Sequence, residues 1–215
     1  GFNQQLDELP ESNIKGKNPF KDKRVRQAFY RAIDVEAIKR TVMRGQSRPS
    51  ALMVGQGLNG YDKDLDVRPK FDPALSKKLL AEAGYPNGFE TGMDCPNDRY
   101  VNDEAICQAS VAMLAKVGIK VNLLAQTRSK YFAKILRTAS DIEKSPNTSF
   151  YMLGWSPAAT YDVHNVFESL IQSPSAKSKK GLFNAGGYSN AKFDELSDKI
   201  EQETDKPKRD AMIKE

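Results

Sequence analysis

A single histidine in 215 residues leaves little for histidine-based catalysis or for a histidine-rich metal site. That residue, His164, falls on a helical pattern and reads as a surface or capping side chain. The sequence has no Gly-x-Ser-x-Gly elbow, and no spacing of its carboxylates marks a general acid and base pair. Cysteine is equally scarce. Cys95 and Cys107 are too few for a disulfide framework, and without a second pair or nearby histidines they do not make a tetrahedral zinc site. Their separation suits either a small closed loop in an oxidising compartment or two free thiols. Glycine-rich phosphate motifs are missing, since Gly186-Gly187 stands alone in a polar stretch. Neither enzymatic activity nor a metal or other cofactor is expected.

No run of about eighteen apolar residues occurs, so no transmembrane helix is expected. The start, Gly1-Phe2-Asn3-Gln4, does not carry the charged-then-apolar pattern of a secretion signal, which any exported parent would supply upstream. Charge is not strongly one-sided: 33 basic residues face 28 acidic ones for a net +5, mostly interleaved as on a solvated surface. The densest basic cluster, Lys177, Lys179 and Lys180, lies in a polar stretch without interleaved stacking aromatics. That pattern does not point to nucleic acid.

What the chain does have is an alternation of helical and strand patterns. Asp22 precedes a helix with Val25, Ala28, Phe29, Ala32 and Ile33 on one face, and Asp34 caps a second helix through Ile38 and Val42 that stops near Gly45. Asp72-Pro73 opens a helix whose Leu75, Leu79, Leu80 and Ala83 face inward as far as Gly84. Phe89 to Cys95 reads as a strand leading into a loop from Pro96 to Asn102. A helix with Ile106, Ala109, Met113, Leu114 and Val117 on one side then ends at Gly118, and the alternation of Ile119, Val121 and Leu123 marks another strand. Ser129 opens a helix with Phe132, Ile135, Leu136 and Ala139 inward, and Phe150 to Leu153 reads as a buried strand ending at Gly154-Trp155. Further helices are expected at Val163 to Ile171, at Ser189 to Ile200 and from about Pro207.

Such alternation implies an α/β lobe with helices covering a sheet, and ligands of such folds gather at the carboxyl ends of the strands. That rule selects the loops Pro96 to Asn102 and Trp155 to Asp162. They carry Asn97, Asp98, Arg99 and Tyr100 in one, and Trp155, Ser156, Tyr161 and Asp162 in the other. These are recognition side chains: arginine offers a planar fork to a carboxylate, and Trp or Tyr covers an apolar or planar ligand while keeping a polar edge. The alternative is structural, with Arg99 paired to Asp98 or Asp103 and Trp155 filling the core.

Several segments in order carry a family resemblance: Phe20-Lys21-Asp22-Lys23-Arg24-Val25-Arg26-Gln27-Ala28, then Ala32-Ile33-Asp34, then Phe71-Asp72-Pro73-Ala74. They continue with Leu79 to Phe89, Leu114 to Val121, Gly154-Trp155, and Gly187-Tyr188-Ser189-Asn190 leading to Phe193-Asp194. On these the chain resembles the second lobe of family 5 solute-binding proteins, the peptide and nickel type serving ABC importers. The resemblance implies a periplasmic-binding-protein-like type II fold. Residues 1–215 would form one α/β lobe, with a mixed sheet, of a two-lobed extracytoplasmic protein whose first lobe and returning C-terminal segment lie elsewhere. That protein would act as a monomer, close on a peptide or small polar solute, and deliver it to a membrane permease. Arg99 and Tyr100 resemble an arginine and a tyrosine that dipeptide-binding members present to the ligand carboxylate, at a spacing different by about a residue. Peptide-binding members often place an aspartate third after the Gly-Trp tryptophan to pair with the ligand amine. This chain has Ala158 there, which argues against a plain peptide ligand, with Asp162 the nearby substitute. Rival expectations are the sensing domain of a transcription regulator and, further off, a peptide hydrolase.

Overall fold

A computed structural model describes residues 1–138 and 140–215. Ala139, expected on an inward helix face, lies outside the described residues. The chain divides into two compact units. One comprises Gly1–Pro49, Pro69–Ile135 and Ser145–Leu153; the other comprises Ser50–Arg68, Leu136–Lys144 and Gly154–Glu215.

In the first unit three helices begin as their caps dictate. Asp22 accepts from the Arg24 N–H ahead of α1 (Lys23–Ala32), Asp34 from Ala37 ahead of α2 (Val35–Thr41), and Asp72 from Leu75 ahead of α3 (Pro73–Glu82). The face of α1 made by Val25, Ala28, Phe29 and Ala32 is fully buried. Ser76 of α3 donates its hydroxyl to the Ala28 carbonyl at 2.8 Å, so a small side chain lets the two helices approach closely.

Strands β1 (Phe89–Pro96) and β2 (Ile119–Gln126) pair in parallel, in register from Phe89 opposite Ile119 to Pro96 opposite Gln126. The helix α4 (Asp103–Ala115) is the crossover between them. Its buried row is Asp103, Cys107, Ser110 and Leu114; Ile106, Ala109 and Met113, expected inward, are half-buried on its flank. At the start of both strands Gly88 and Gly118 take φ of 73° and 90°, and a Cβ on Gly88 would strike the Gly118 backbone.

The stretch expected as a third strand makes only isolated bridges, Phe150 antiparallel to Phe2 and Tyr151 parallel to Asp94. Its partners are a single residue near the start of the chain and one at the end of β1, too few for a continuous ladder. The sheet itself is the parallel pair β1 and β2, and the isolated antiparallel bridge of Phe2 with Phe150 lies outside it. Phe2, Phe20, Phe29 and Phe150 form an aromatic cluster beneath it, with centroids 4.9–6.3 Å apart. Phe20, Phe29 and Phe150 are buried, each contributing about 1.5–3 kcal/mol, while Phe2 is half-buried at the edge of the cluster.

The helix α5 (Arg128–Ile135) buries Tyr131 and Ile135, whereas Phe132, expected inward, is half-buried. It stops at Ile135, short of Leu136, where the chain passes to the second unit. The Tyr131 hydroxyl donates to the Met152 carbonyl. Lys134 reaches Asp94 at 2.7 Å and Glu11 at 3.0 Å, and Thr148 donates to the other Asp94 oxygen at 2.6 Å. Burial alone would lower the Lys134 pKa, but the two carboxylates outweigh it and hold it above its ordinary value.

In the second unit the expected helix from Val163 is an α-helical turn, α6 (His164–Val166), widening into a π-helical stretch at Phe167–Ile171. It packs with α7 (Ala191–Gln202), where Phe167 meets Phe193 edge-on at 5.4 Å. His164 is buried rather than on the surface, because Nε2 lies 3.0 Å from the Ser197 carbonyl of α7. The last helix, α8 (Lys206–Lys214), is capped by Asp205. Among the described residues no helix is long and apolar enough to cross a membrane.

Two stability tests follow from these contacts. Gly88→Ala should destabilise the first unit by at least about 2 kcal/mol in urea unfolding, since it adds both a left-handed strain and a backbone overlap. Lys134→Met should cost roughly 3–5 kcal/mol by leaving the buried Asp94 carboxylate without its counter-charge, while the double change with Asp94→Leu should recover most of that loss.

Candidate functional site

The carboxyl end of β1 and the turn that follows it, residues 97–102, are anchored at four points. Cys95, the penultimate residue of the strand, is joined by a disulfide to Cys107 of α4, with Cα atoms 6.6 Å apart. Both cysteines are fully buried. Of the two readings the sequence left open, the bonded one is the geometry found.

Asp103, the first residue of α4 and 4% exposed, turns its carboxylate back on the loop. One oxygen accepts the Arg99 and Tyr100 N–H groups, both at 2.9 Å, and the other accepts Glu104 N–H at 2.9 Å. Burial pushes this carboxyl up, but the N–H groups of Tyr100, Arg99 and Glu104 outweigh it and leave it below the usual carboxylate range. Asp98 accepts the Arg128 N–H at 2.5 Å and so ties the loop to the start of α5. Asn102 takes φ of 56° and donates its amide to the Val42 carbonyl at 3.0 Å.

On this fixed backbone Arg99 is exposed, with its guanidinium carbon 5.0 Å from the centre of the Tyr100 ring. Neither Asp98 nor Asp103 pairs with the guanidinium, and no carboxylate among the described residues forms an ion pair with it. Stacking on an aromatic face leaves the edge of the guanidinium fork open for a planar anion. Asp98 is exposed, with one carboxylate oxygen engaged by the Arg128 N–H.

In the second unit the loop from Trp155 is held by its own contacts. The Trp155 indole N–H donates to Asn165 at 3.0 Å and its ring lies 4.8 Å from that of Phe183, leaving the side chain half-buried. Ser156 and Ala158 are exposed. Tyr161 is 68% exposed at φ of 54°, a conformation that turns the chain and pushes the ring outward. Asp162 faces four donors: Arg209 grips both oxygens at 2.7 and 3.0 Å, Asn59 donates at 2.9 Å and the His164 N–H at 2.8 Å. Desolvation would raise its pKa, but the Arg209 fork and the other donors prevail and lower it.

The sequence reading missed Asp94, Lys134 and Arg209, and it named Asp103 only as a possible ion-pair partner of Arg99, not as the group that holds the loop backbone. The only available signal was for Asp103, an acidic residue at the start of a helical pattern just past a loop. The other three depend on chain segments that come together only on folding.

The sequence profile of the bacterial extracellular solute-binding proteins, family 5 Middle, matches residues 1–178. The glutathione-binding protein GsiB of Pectobacterium atrosepticum is 28% identical over 198 residues, covering 92% of this chain and 37% of that protein. Heme-binding protein A of Haemophilus influenzae is 29% identical over 202 residues, covering 93% and 34%. Among solved structures, the dipeptide-binding protein from Pseudoalteromonas sp. SM9913 in complex with Met-Leu superposes with a TM-score of 0.77 at 26% identity, covering 98% of this chain and 38% of that one. The chain thus spans little more than a third of the length of these relatives. The fold is α/β, of the periplasmic-binding-protein type II kind, and the named relatives are binding proteins rather than enzymes. With the profile match extending over most of its length, the chain belongs to the bacterial extracellular solute-binding proteins of family 5.

Proposed function

We propose that the chain is one lobe of a two-lobed, extracytoplasmic protein that captures a small carboxylate-bearing solute and hands it to the permease of an ABC importer. The observation that carries this reading is the Arg99 guanidinium, exposed on a backbone anchored by Asp103 and laid against Tyr100. An arginine so presented offers a bidentate, charge-assisted contact to a carboxylate. Trp155, Ser156 and Tyr161 stay in the proposal as ligand contacts. Peptides remain within the class, in keeping with relatives named for glutathione and bound to Met-Leu. Ala158 supplies no charge for a free amine, so the affinity rests on the anionic end of the ligand. The protein serves as a binding component, with no bond made or broken.

The test begins with mass spectrometry of whatever small molecule copurifies with the protein in its full natural length, followed by calorimetric titration. Arg99→Ala should weaken binding of an anionic ligand by about 2–5 kcal/mol if closure buries the contact. Ala158→Asp should leave affinity for the same ligand unimproved. Unchanged affinity after Arg99→Ala, or a large gain from Ala158→Asp, would overturn the assignment of the anchor. Appearance of a cleaved product would overturn the binding-only role.

A further inference from the structure

We propose that Asp103 is a positioning residue for ligand capture: its buried carboxylate holds the backbone of Arg99 and Tyr100 so that the Arg99 fork is presented before any ligand arrives. The inference rests on the reading of Arg99 as the anion anchor and adds the group that governs how well that anchor works.

The geometry separates this role from ordinary helix capping. A capping carboxylate at the start of a helix satisfies N–H groups of the helix's own first turn. Asp103 does that with one oxygen, toward Glu104 at 2.9 Å, and turns the other backward onto the N–H groups of Arg99 and Tyr100, both at 2.9 Å. Those two amides belong to the residues whose side chains stack at 5.0 Å. The carboxylate is itself fixed, being 4% exposed on a helix that the Cys95–Cys107 bond joins to the strand entering the same loop. The loop side chains cannot supply such order, since Val101 is 74% exposed and Arg99 projects to solvent. Without the Asp103 oxygen the two amides would turn to water and the Arg99 backbone would sample several conformations, all but one of which a ligand must exclude on binding.

Two measurements decide it. In hydrogen exchange on the wild-type chain followed by NMR, the Arg99 and Tyr100 amides should exchange at least about tenfold more slowly than that of exposed Val101. Exchange as fast as Val101 overturns the proposal whether or not any variant folds. In titrations of the full-length protein with its copurified carboxylate ligand, Asp103→Ala should weaken binding by about tenfold, and Asp103→Asn, which keeps one acceptor oxygen, should recover part of it. In an Arg99→Ala background Asp103→Ala should have almost no further effect, because the carboxylate acts through Arg99. An equal loss in both backgrounds overturns the positioning role. Exchange reads the loop directly, so a wild-type protein that binds no carboxylate ligand counts against the function, whereas unprotected amides count against Asp103.

Discussion

Parallel pairing of Phe89–Pro96 with Ile119–Gln126 is the constraint from which the rest of the first unit follows. Two parallel neighbours cannot be joined by a tight turn; the chain must leave at the carboxyl end of β1, travel back along the sheet and re-enter beside its starting point. The return path is α4, and the six residues from Asn97 to Asn102 are therefore held at the carboxyl edge of the sheet. The glycine contact of Gly88 with Gly118 matters for the same reason. It closes the opposite end, where β1 and β2 both begin, and fixes the register that sets where the loop emerges.

A loop in that position faces a conflict between exposure and order. The recognition role proposed for Arg99 requires its side chain in solvent, while every ordered residue costs about 1–2 kcal/mol of backbone entropy. Apolar packing within the loop would settle the second need by sacrificing the first. The chain instead orders the backbone with groups from outside the loop or at its ends: a covalent bond from Cys95 to Cys107, the Asp103 carboxylate on two amides, and the Asp98 carboxylate on the start of α5. Each acts on main chain or on a residue beside the loop, leaving the Arg99 side chain unencumbered. The Asp94–Lys134 ion pair just upstream serves the same end, locking α5 against the strand from which the loop departs.

Legibility in the sequence tracked the range of the interactions concerned. Asp22, Asp34 and Asp72 were readable as caps because a cap and the amide it serves lie two or three residues apart. The strand from Ile119 was readable from alternation after Gly118, and the one from Phe89 from the loss of helical period after the turn ending at Gly88, both local signals. Phe150–Leu153 was misread because a strand is defined by its partners, and here these are Phe2 and Asp94, far off in sequence. His164 was placed on the surface because nothing nearby in sequence announces that Ser197 will cover it. The position of Arg99 was legible, yet its distinguishing property was not: the sequence offered Asp98 and Asp103 as counter-ions, and the fold turned both toward backbone amides instead.

That diversion bears on which charge the proposed site would favour. The two loops singled out by the strand-end rule each contain an ionic group able to meet a charged ligand, Arg99 in one and Asp162 in the other. Asp162 is already answered by the bidentate Arg209, by Asn59 and by the His164 N–H. A ligand ammonium approaching it would have to displace an arginine or share the carboxylate with one. Breaking a partly buried arginine pair leaves a cation to be resolvated, so the exchange returns little net energy. Arg99 forms no ion pair among the described residues, so a carboxylate docking there, as proposed, would have no other carboxylate to displace. A positive ligand group therefore replaces a contact the fold already makes, whereas a negative one adds a contact it lacks. On the proposed reading, with Ala158 contributing only a methyl, the asymmetry would run toward anions, and it would arise from internal pairing of acidic groups rather than from the modest net charge of the chain.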